Sequence, residues 1–149
     1  MLVRTSIIMS LLFCLFATTS VKGQEVALEA GVIYINNRAS YHYDISSSQS
    51  ELFVYTLNTE DELIYISENF NGSISVRPNS YISFYVAKQD LRFNSYTLGS
   101  KPFKNIIQVL VQKKILSNDG TLCREAMRNF AAQELLKHVC FSPMQKPRN

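Results

Sequence analysis

Alternating apolar and polar positions over the first two thirds of the chain predict short β-strands. The clearest alternation covers residues 81–87, where Ile82, Phe84 and Val86 point to one face and the residues between them to the other. Residues 52–57 alternate in the same way and are rich in aromatic and β-branched side chains, which favour strands. The other predicted strands cover residues 26–35, 40–45, 62–67, 73–76 and 91–98. Their spacing of about 8–12 residues favours an antiparallel meander or sandwich.

Polar turn signals separate these predicted strands. Asn71-Gly72 is the strongest of them, because both residues accept the positive φ angles of a tight hairpin. It predicts a turn over residues 69–72 that joins strand 62–67 to strand 73–76. Weaker turn signals fall at residues 36–38, 46–50, 58–61, 78–79 and 88–90.

The hydrophobic period changes to that of a helix after residue 98. Ser100 is suited to cap a helix and Pro102 to occupy its first turn. Apolar residues then recur at helical spacing, at Phe103, Ile106, Ile107 and Leu110. We expect a helix here, with a buried strand over residues 106–111 as the alternative.

A second helix is predicted over residues 122–139, ended by Ser142-Pro143. Its expected buried stripe consists of Met127, Phe130, Ala131, Leu135 and Val139. Together these patterns predict an α+β fold. An antiparallel β-meander or sandwich of about six to eight strands would carry two C-terminal helices packed on the sheet.

The N-terminal residues have the pattern of a secretory signal peptide, residues 1–23. Arg4 supplies a positive start, residues 7–17 form an apolar run, and residues 21–23 offer a cleavage site. The apolar run is shorter than the roughly 20 residues of a membrane span, which favours a cleaved signal peptide over the alternative, an uncleaved signal anchor. We therefore expect a secreted, extracellular protein without a transmembrane segment. It would consist of a single β-rich domain, residues 24–141, and a flexible polar tail, residues 142–149.

Charge is divided unevenly between the two halves of the expected mature chain. Residues 24–68 hold eight acidic side chains and one basic one, whereas residues 69–149 hold twelve basic and four acidic ones. The resulting net charge of +1 gives no bulk attraction to nucleic acid. Either the halves pack together and their charges offset, or the surface is bipolar and orients a protein partner or a second copy.

Two cysteines, Cys123 and Cys140, remain after removal of the signal peptide. Secretion favours disulfides, but about 25 Å of straight helix would separate these two residues, and a disulfide needs Cα atoms within about 7 Å. Three states stay open. The thiols are unpaired, or they bond between chains, as in an antiparallel homodimer, or they bond internally through a broken helix.

Two surface features are predicted within the sheet. Asn71-Gly72-Ser73 is the one Asn-x-Ser/Thr sequon in the sequence, and at a hairpin tip Asn71 would be accessible for glycosylation. Tyr81 and Tyr85 share one face of the strand over residues 81–87. If that face is exposed, they form a contact patch for a partner; the alternative is a plain core with tyrosines at its rim.

No catalytic, cofactor-binding or metal-binding motif is found. His42 and His138 lie outside the known nucleophile and metal motifs, and the sequence has no phosphate-cradling glycine loop. The acidic run Glu60-Asp61-Glu62 resembles a solvated turn more than the spaced ligands of a calcium loop. We expect no enzymatic activity, no cofactor and no metal site.

Two segments carry a resemblance to the BRICHOS domain family. Residues 99–107, Gly-Ser-Lys-Pro-Phe-Lys-Asn-Ile-Ile, resemble the entry to the first helix of that family. Residues 138–143, His-Val-Cys-Phe-Ser-Pro, are similar to its C-terminal cysteine segment, and the whole match runs over residues 62–144. The chain departs from the family where Tyr96 stands in place of a cysteine and where only Asp90 offers the acidic residue. The resemblance implies a chaperone-like domain that binds β-segments.

These observations predict a secreted interaction protein that engages a protein or an extended peptide through a sheet face or edge. Strand addition is the natural mode for an exposed edge. Two further classes stay open. A small enzyme would show a deep pocket joining a histidine to a carboxylate, and a lipid or small-ligand carrier would show a large apolar cavity.

Overall fold

A computed structural model describes residues 23–71 and 79–141. Their strands are β1 (Val26–Glu29), β2 (Val32–Ile35), β3 (Arg38–Ile45), β4 (Glu51–Thr56), β5 (Glu62–Asn71), β6 (Asn79–Val86) and β7 (Leu91–Ser95). Two helices follow, α1 (Phe103–Gln112) and α2 (Arg124–Phe141), and a short 3-10 turn, Ala87–Gln89, precedes β7. The strands form one antiparallel sheet in the order β1 to β7, so neighbours in sequence are neighbours in space. The predicted α+β fold is confirmed.

Both helices pack on the same face of the sheet. Helix α1 contacts β1, and helix α2 packs against β7. Inward side chains of every second strand position form one aliphatic core with these helices, centred on Ile33, Leu52, Ile64, Ile82 and Leu110. As predicted, Ile82, Phe84 and Val86 are buried, whereas the residues that alternate with them lie on the opposite face. No described element covers that opposite face.

A buried tyrosine holds the loop between the two helices to the sheet. The hydroxyl of Tyr41, on β3, accepts a hydrogen bond from the backbone N–H of Ser117 (3.0 Å) and donates toward the carbonyl of Thr121 (2.7 Å). Burial raises the pKa of Tyr41 to about 12. The hydroxyl therefore stays neutral and connects this loop to the sheet.

The first predicted strand is wrong in one respect. Residues 26–35 form two strands, because Ala30 and Gly31 both adopt positive φ angles (48° and 78°) and turn the chain back between β1 and β2. Gly31 takes this conformation without strain, but Ala30 is an unusual residue for it. The pair therefore gave no turn signal in the sequence.

The predicted turn at residues 69–72 is also wrong where the structure describes it. Strand β5 continues through Asn71 and pairs directly with β6, with Asn69 opposite Tyr81. The Asn69 side chain donates to the hydroxyl of Ser83 (3.0 Å), so this asparagine serves as a cross-strand partner. The predicted strand 73–76 lies outside the described residues.

The helix predicted after residue 98 is confirmed, and the alternative of a buried strand is wrong. Its cap differs from the prediction. Pro102 occupies the N-cap position, and no side chain caps the helix. Ser100 instead has φ +62° and its hydroxyl bonds that of Ser80. This brings the preceding Gly99 against the backbone of Ser80, where a Cβ atom would overlap the carbonyl oxygen.

Helix α2 confirms the predicted second helix, but its buried stripe is rotated. Met127, Phe130 and Ala131 are buried as expected, whereas Leu135 is 65% exposed and Glu134 is 3% exposed. The side chain of Val139 lies outside the described residues, as do residues 1–22 and 142–149. Within the described part of the chain, neither helix has the length and apolar character needed to cross a membrane.

Candidate functional site: a groove at the sheet edge

Strand β7 is an edge of the sheet, because it pairs with β6 and with no other described strand. In an antiparallel edge strand, every second residue directs its N–H and C=O away from the sheet. Among the described residues, the backbone of residues 91–94 forms no hydrogen bond beyond the pairing with β6. The edge therefore offers donors and acceptors to an added strand.

A groove of about 540 Å³ lies along this edge, between β7 and α2. Strand β7 and the residue after it supply one wall, and exposed or small residues of α2 supply the other. The lining consists of Leu91, Arg92, Phe93, Asn94, Tyr96, Arg128, Ala131, Ala132 and Leu135. Alanines on the helix wall leave room for the side chains of a ligand.

The helix wall of the groove arises from the rotation of α2. Phe130 packs edge-on against Phe84 and Phe93, with ring centroids 6.0 and 5.6 Å apart, and this orients one stripe of the helix toward the sheet. The neighbouring stripe, with Ala132 and Leu135, then faces the groove. An apolar surface is thus left beside an unpaired strand edge.

Glu134 fixes this rotation. Its carboxylate accepts hydrogen bonds from the hydroxyls of Ser95 (2.6 Å) and Thr97 (2.7 Å) and pairs with the ammonium of Lys137 (2.8 Å). Burial alone raises the pKa of Glu134, but these three partners outweigh it and hold the pKa below its usual value. The charged carboxylate therefore ties the end of β7 to the middle of α2.

Strand β7 and helix α2 run in the same direction along the groove. Phe130 lies against Phe93 and Glu134 against Ser95. The distance from Phe130 to Glu134 along the helix, about 6 Å for four residues, matches that from Phe93 to Ser95 along the strand, about 7 Å for two residues. By the same rise, Arg128 lies near the level of Arg92, at the end of the groove where β7 begins.

The two guanidinium groups lie on opposite sides of the strand edge. Arg92 belongs to the open face, where it stacks 4.7 Å above the ring of Tyr85. Arg128 belongs to the helix wall. Within the described residues neither forms an ion pair, and the groove lining contains no acidic side chain.

Tyr81 and Tyr85, the predicted contact patch, lie half-buried on the open face. The ring of Tyr81 packs 5.3 Å from that of Tyr96, and Tyr85 lies beneath Arg92. Tyr96 and Arg92 also line the groove. The predicted patch is therefore continuous with the open edge of β7.

The remaining candidate residues do not assemble a catalytic or metal centre among the described residues. His42, Asp44 and Glu60 line a separate open hollow of about 470 Å³, with no hydrogen bond between their side chains. No group of three His, Cys, Asp or Glu side chains that could hold a metal is found in the part of the chain that the structure describes. Asp61 pairs with Lys88 (2.8 Å), and the side chain of His138 lies outside the described residues.

The cysteines and the sequon are only partly described. Cys123 is exposed and free, just before α2, whereas the side chain of Cys140 lies outside the described residues. Helix α2 is continuous from Arg124 to Phe141, so it lacks the break that an internal disulfide would need. Asn71 ends β5, and its glycosylation stays a prediction.

Sequence reasoning missed the helix residues Arg128 and Ala132 as site residues. Their spacing to Leu135 was the available signal, because positions three and four apart share one face of a helix. The sequence gives no means of knowing which of two adjacent stripes faces the sheet.

Comparisons with protein-family models, with curated proteins and with solved structures find no match to this chain, so the resemblance to the BRICHOS domain stays a prediction.

Proposed function

We propose that this chain is a secreted, non-enzymatic protein that binds an extended segment of a protein partner by strand addition at β7. The observation that carries the proposal is the unpaired edge of β7 beside an apolar groove. Backbone hydrogen bonds along an edge supply affinity for any extended chain, and side-chain pockets beside it supply selectivity.

The groove suits alternating side chains. A strand added beside β7 would direct every second side chain toward α2, where Phe93, Ala132 and Leu135 present apolar surface. The side chains between them would lie on the open face, next to Tyr81 and Tyr85. An added segment therefore extends both the sheet and the aromatic patch.

Natural proteins usually protect an exposed edge strand against pairing with other chains, because an unpaired edge promotes aggregation. The five residues of β7 include one charged side chain, an arginine, so charge does little to protect this edge. Leu135, which lines the groove beside this strand, is 65% exposed and adds apolar surface there. A binding role gives this edge and its apolar border a reason to stay uncovered.

The test is selection of ligands from a displayed library of random heptapeptides on the full chain, produced in a secretory host. We expect peptides with alternating apolar residues, and on binding we expect slowed amide hydrogen exchange at residues 91–95. Ala132→Trp fills the groove from an exposed position and should weaken the selected peptides at least about tenfold. Asn129→Trp is the control, because Asn129 is exposed on the same helix but outside the groove.

Three results would overturn the proposal. The first is a selection that yields no binder. The second is exchange protection confined to strands other than β7. The third is equal loss of binding in the Ala132→Trp and Asn129→Trp variants, which would place the peptide elsewhere on the helix.

A further inference from the structure

We infer that the groove selects a segment that bears a carboxylate at the end where β7 begins and apolar side chains along the rest. The inference rests on the proposed function, since it concerns the ligand of the same edge. Its basis is the juxtaposition of Arg92 and Arg128 at one level of a groove that is otherwise apolar.

The charges of the groove are one-sided. Arg92 and Arg128 are its two ionisable side chains other than Tyr96, and both are cationic. The nearest acidic residues along the chain, Asp90 just before β7 and Glu125 one helical turn before Arg128, do not line the groove. An anionic group at this end would thus meet two guanidinium groups without an acidic neighbour in the groove lining.

The position of the two arginines suits a group held between them. Arg92 lines the groove from the open face, with its guanidinium over the ring of Tyr85 on β6, and Arg128 lines it from the helix wall. An added strand would run between these two sides, and Arg92 would turn from Tyr85 toward the edge to meet its carboxylate. A carboxylate at that level accepts hydrogen bonds from either fork, and the groove removes part of the water that weakens such bonds at an open surface. The other end of the groove, at Leu135 and Tyr96, carries no charge and suits an apolar side chain.

A protein partner fits this chemistry better than another part of the same molecule. Residues 142–149, which follow α2, contain Lys146 and Arg148 and no acidic side chain. A second copy would offer its own β7 or its β1 as an edge. Its β7 would bring two further arginines and no carboxylate to the groove. The inward side chains of β1 are already engaged, since Val26 is 2% exposed and Leu28 packs against the core.

The carboxylate has two sources, an acidic side chain or the C-terminus of the partner. The probe is a fluorescein-labelled heptapeptide that alternates threonine and valine, made with one aspartate at its first or its last position. Its twins carry asparagine in place of aspartate. Each peptide is made with a free and with an amidated C-terminus, which separates the two sources.

We expect the preferred aspartate or free-carboxylate peptide to bind the full chain about tenfold more tightly than its neutral twin, as for a charge-assisted contact. Arg92→Gln and Arg128→Gln should each reduce the ratio of the affinities for the charged peptide and its neutral twin, and Arg92→Lys should retain part of that preference. Arg124→Gln is the matched control, because Arg124 is exposed on α2 outside the groove lining. Thermal melting of each variant confirms that the fold is intact.

The outcomes separate this inference from the proposed function. Equal binding of charged and neutral peptides, with loss of both in the Ala132→Trp variant, overturns the inference and supports strand addition. A charge preference that survives both arginine variants overturns the inference as well. No binding of any peptide overturns the inference and the proposed function together. Concentration-dependent self-association that Ala132→Trp abolishes would show that the groove takes a second copy instead.

Discussion

The β1 side and the β7 side of this sheet each carry one helix, but the two helices are used differently. Helix α1 buries Ile106, Ile107, Leu110 and Val111 completely, and its side chains close the core over β1. Helix α2 buries a narrower stripe and leaves Leu135 and Leu136 mostly exposed. Helix α1 covers the core, whereas helix α2 covers the core and also forms one wall of the groove.

The difference separates positions that stabilise the fold from positions that would contact a ligand under the proposed function. An exposed leucine beside an unpaired strand edge contributes little to folding, because it remains in contact with water. The same leucine is available to a ligand. We therefore expect core substitutions on the β1 side to change stability, and groove substitutions on the β7 side to change binding.

The sharpest test of this contrast compares one leucine from each helix. Leu110→Ala removes a fully buried side chain and should lower the free energy of unfolding by about 3 kcal/mol. Leu135→Ala should lower it by less than about 0.5 kcal/mol but weaken peptide binding. Urea unfolding followed by circular dichroism measures both values. Similar losses in the two variants would show that Leu135 contributes to folding as a core residue does.

A second test compares two glycines in connecting segments. Gly99→Ala brings a Cβ atom into the backbone of Ser80 and should cost about 2 kcal/mol, because the loop that leads into α1 must move. In Gly31→Ala, in the turn between β1 and β2, the new Cβ atom meets only the carbonyl oxygen of Tyr43, at an ordinary 3.5 Å. The φ angle of +78° should still cost about 1 kcal/mol. Thermal unfolding ranks the two variants. The reverse order would mean that backbone conformation outweighs crowding here.

A third test concerns the tyrosine that holds the loop between the helices. Tyr41→Phe removes the hydrogen bonds of the hydroxyl to the N–H of Ser117 and the carbonyl of Thr121 and should cost about 1 kcal/mol, since these two groups still bond each other (3.1 Å). Because burial raises the pKa of Tyr41 to about 12, its contribution is fully present below pH 10 and is lost as the pH rises toward 12. The variant should remove this part of the alkaline loss of stability. Identical alkaline profiles of the two proteins would contradict the assignment.

The smallest expected effect lies on the β7 side, at Glu134. Since its pKa is lowered in the folded protein, its contribution is present above the usual carboxyl value and is lost as the pH falls through the lower, folded value. Glu134→Gln should flatten this part of the acid unfolding profile. Hydrogen bonds from Ser117 and Thr121 lower the pKa of Asp119 to about 2, so this carboxylate titrates in the same direction. Asp119→Asn is therefore the variant that separates the two carboxylates, and an unchanged profile in Glu134→Gln would refute the role given to Glu134.

Local sequence signals predicted the order of elements, and cooperative packing decided what they missed. The alternation in β6 and the helical spacing in α1 identify their buried faces correctly, since each pattern has one apolar side. The sequence of α2 is compatible with two adjacent buried stripes, one that contains Leu135 and one that contains Glu134. The choice between them depends on Ser95 and Thr97, which lie 37 to 39 residues away along the chain. The groove follows from that long-range contact, and no local pattern contains it.

The sequential order of the strands also bears on how the molecule forms. Each strand pairs with the one before it, so the sheet is built from contacts of short sequence separation, which favours rapid folding. During synthesis from the N-terminus the sheet can add one strand at a time, with β7 as the last strand before the helices close the core. A partner segment that binds beside β7 would pair with it as an eighth strand. Binding would then use the same strand pairing by which the sheet forms.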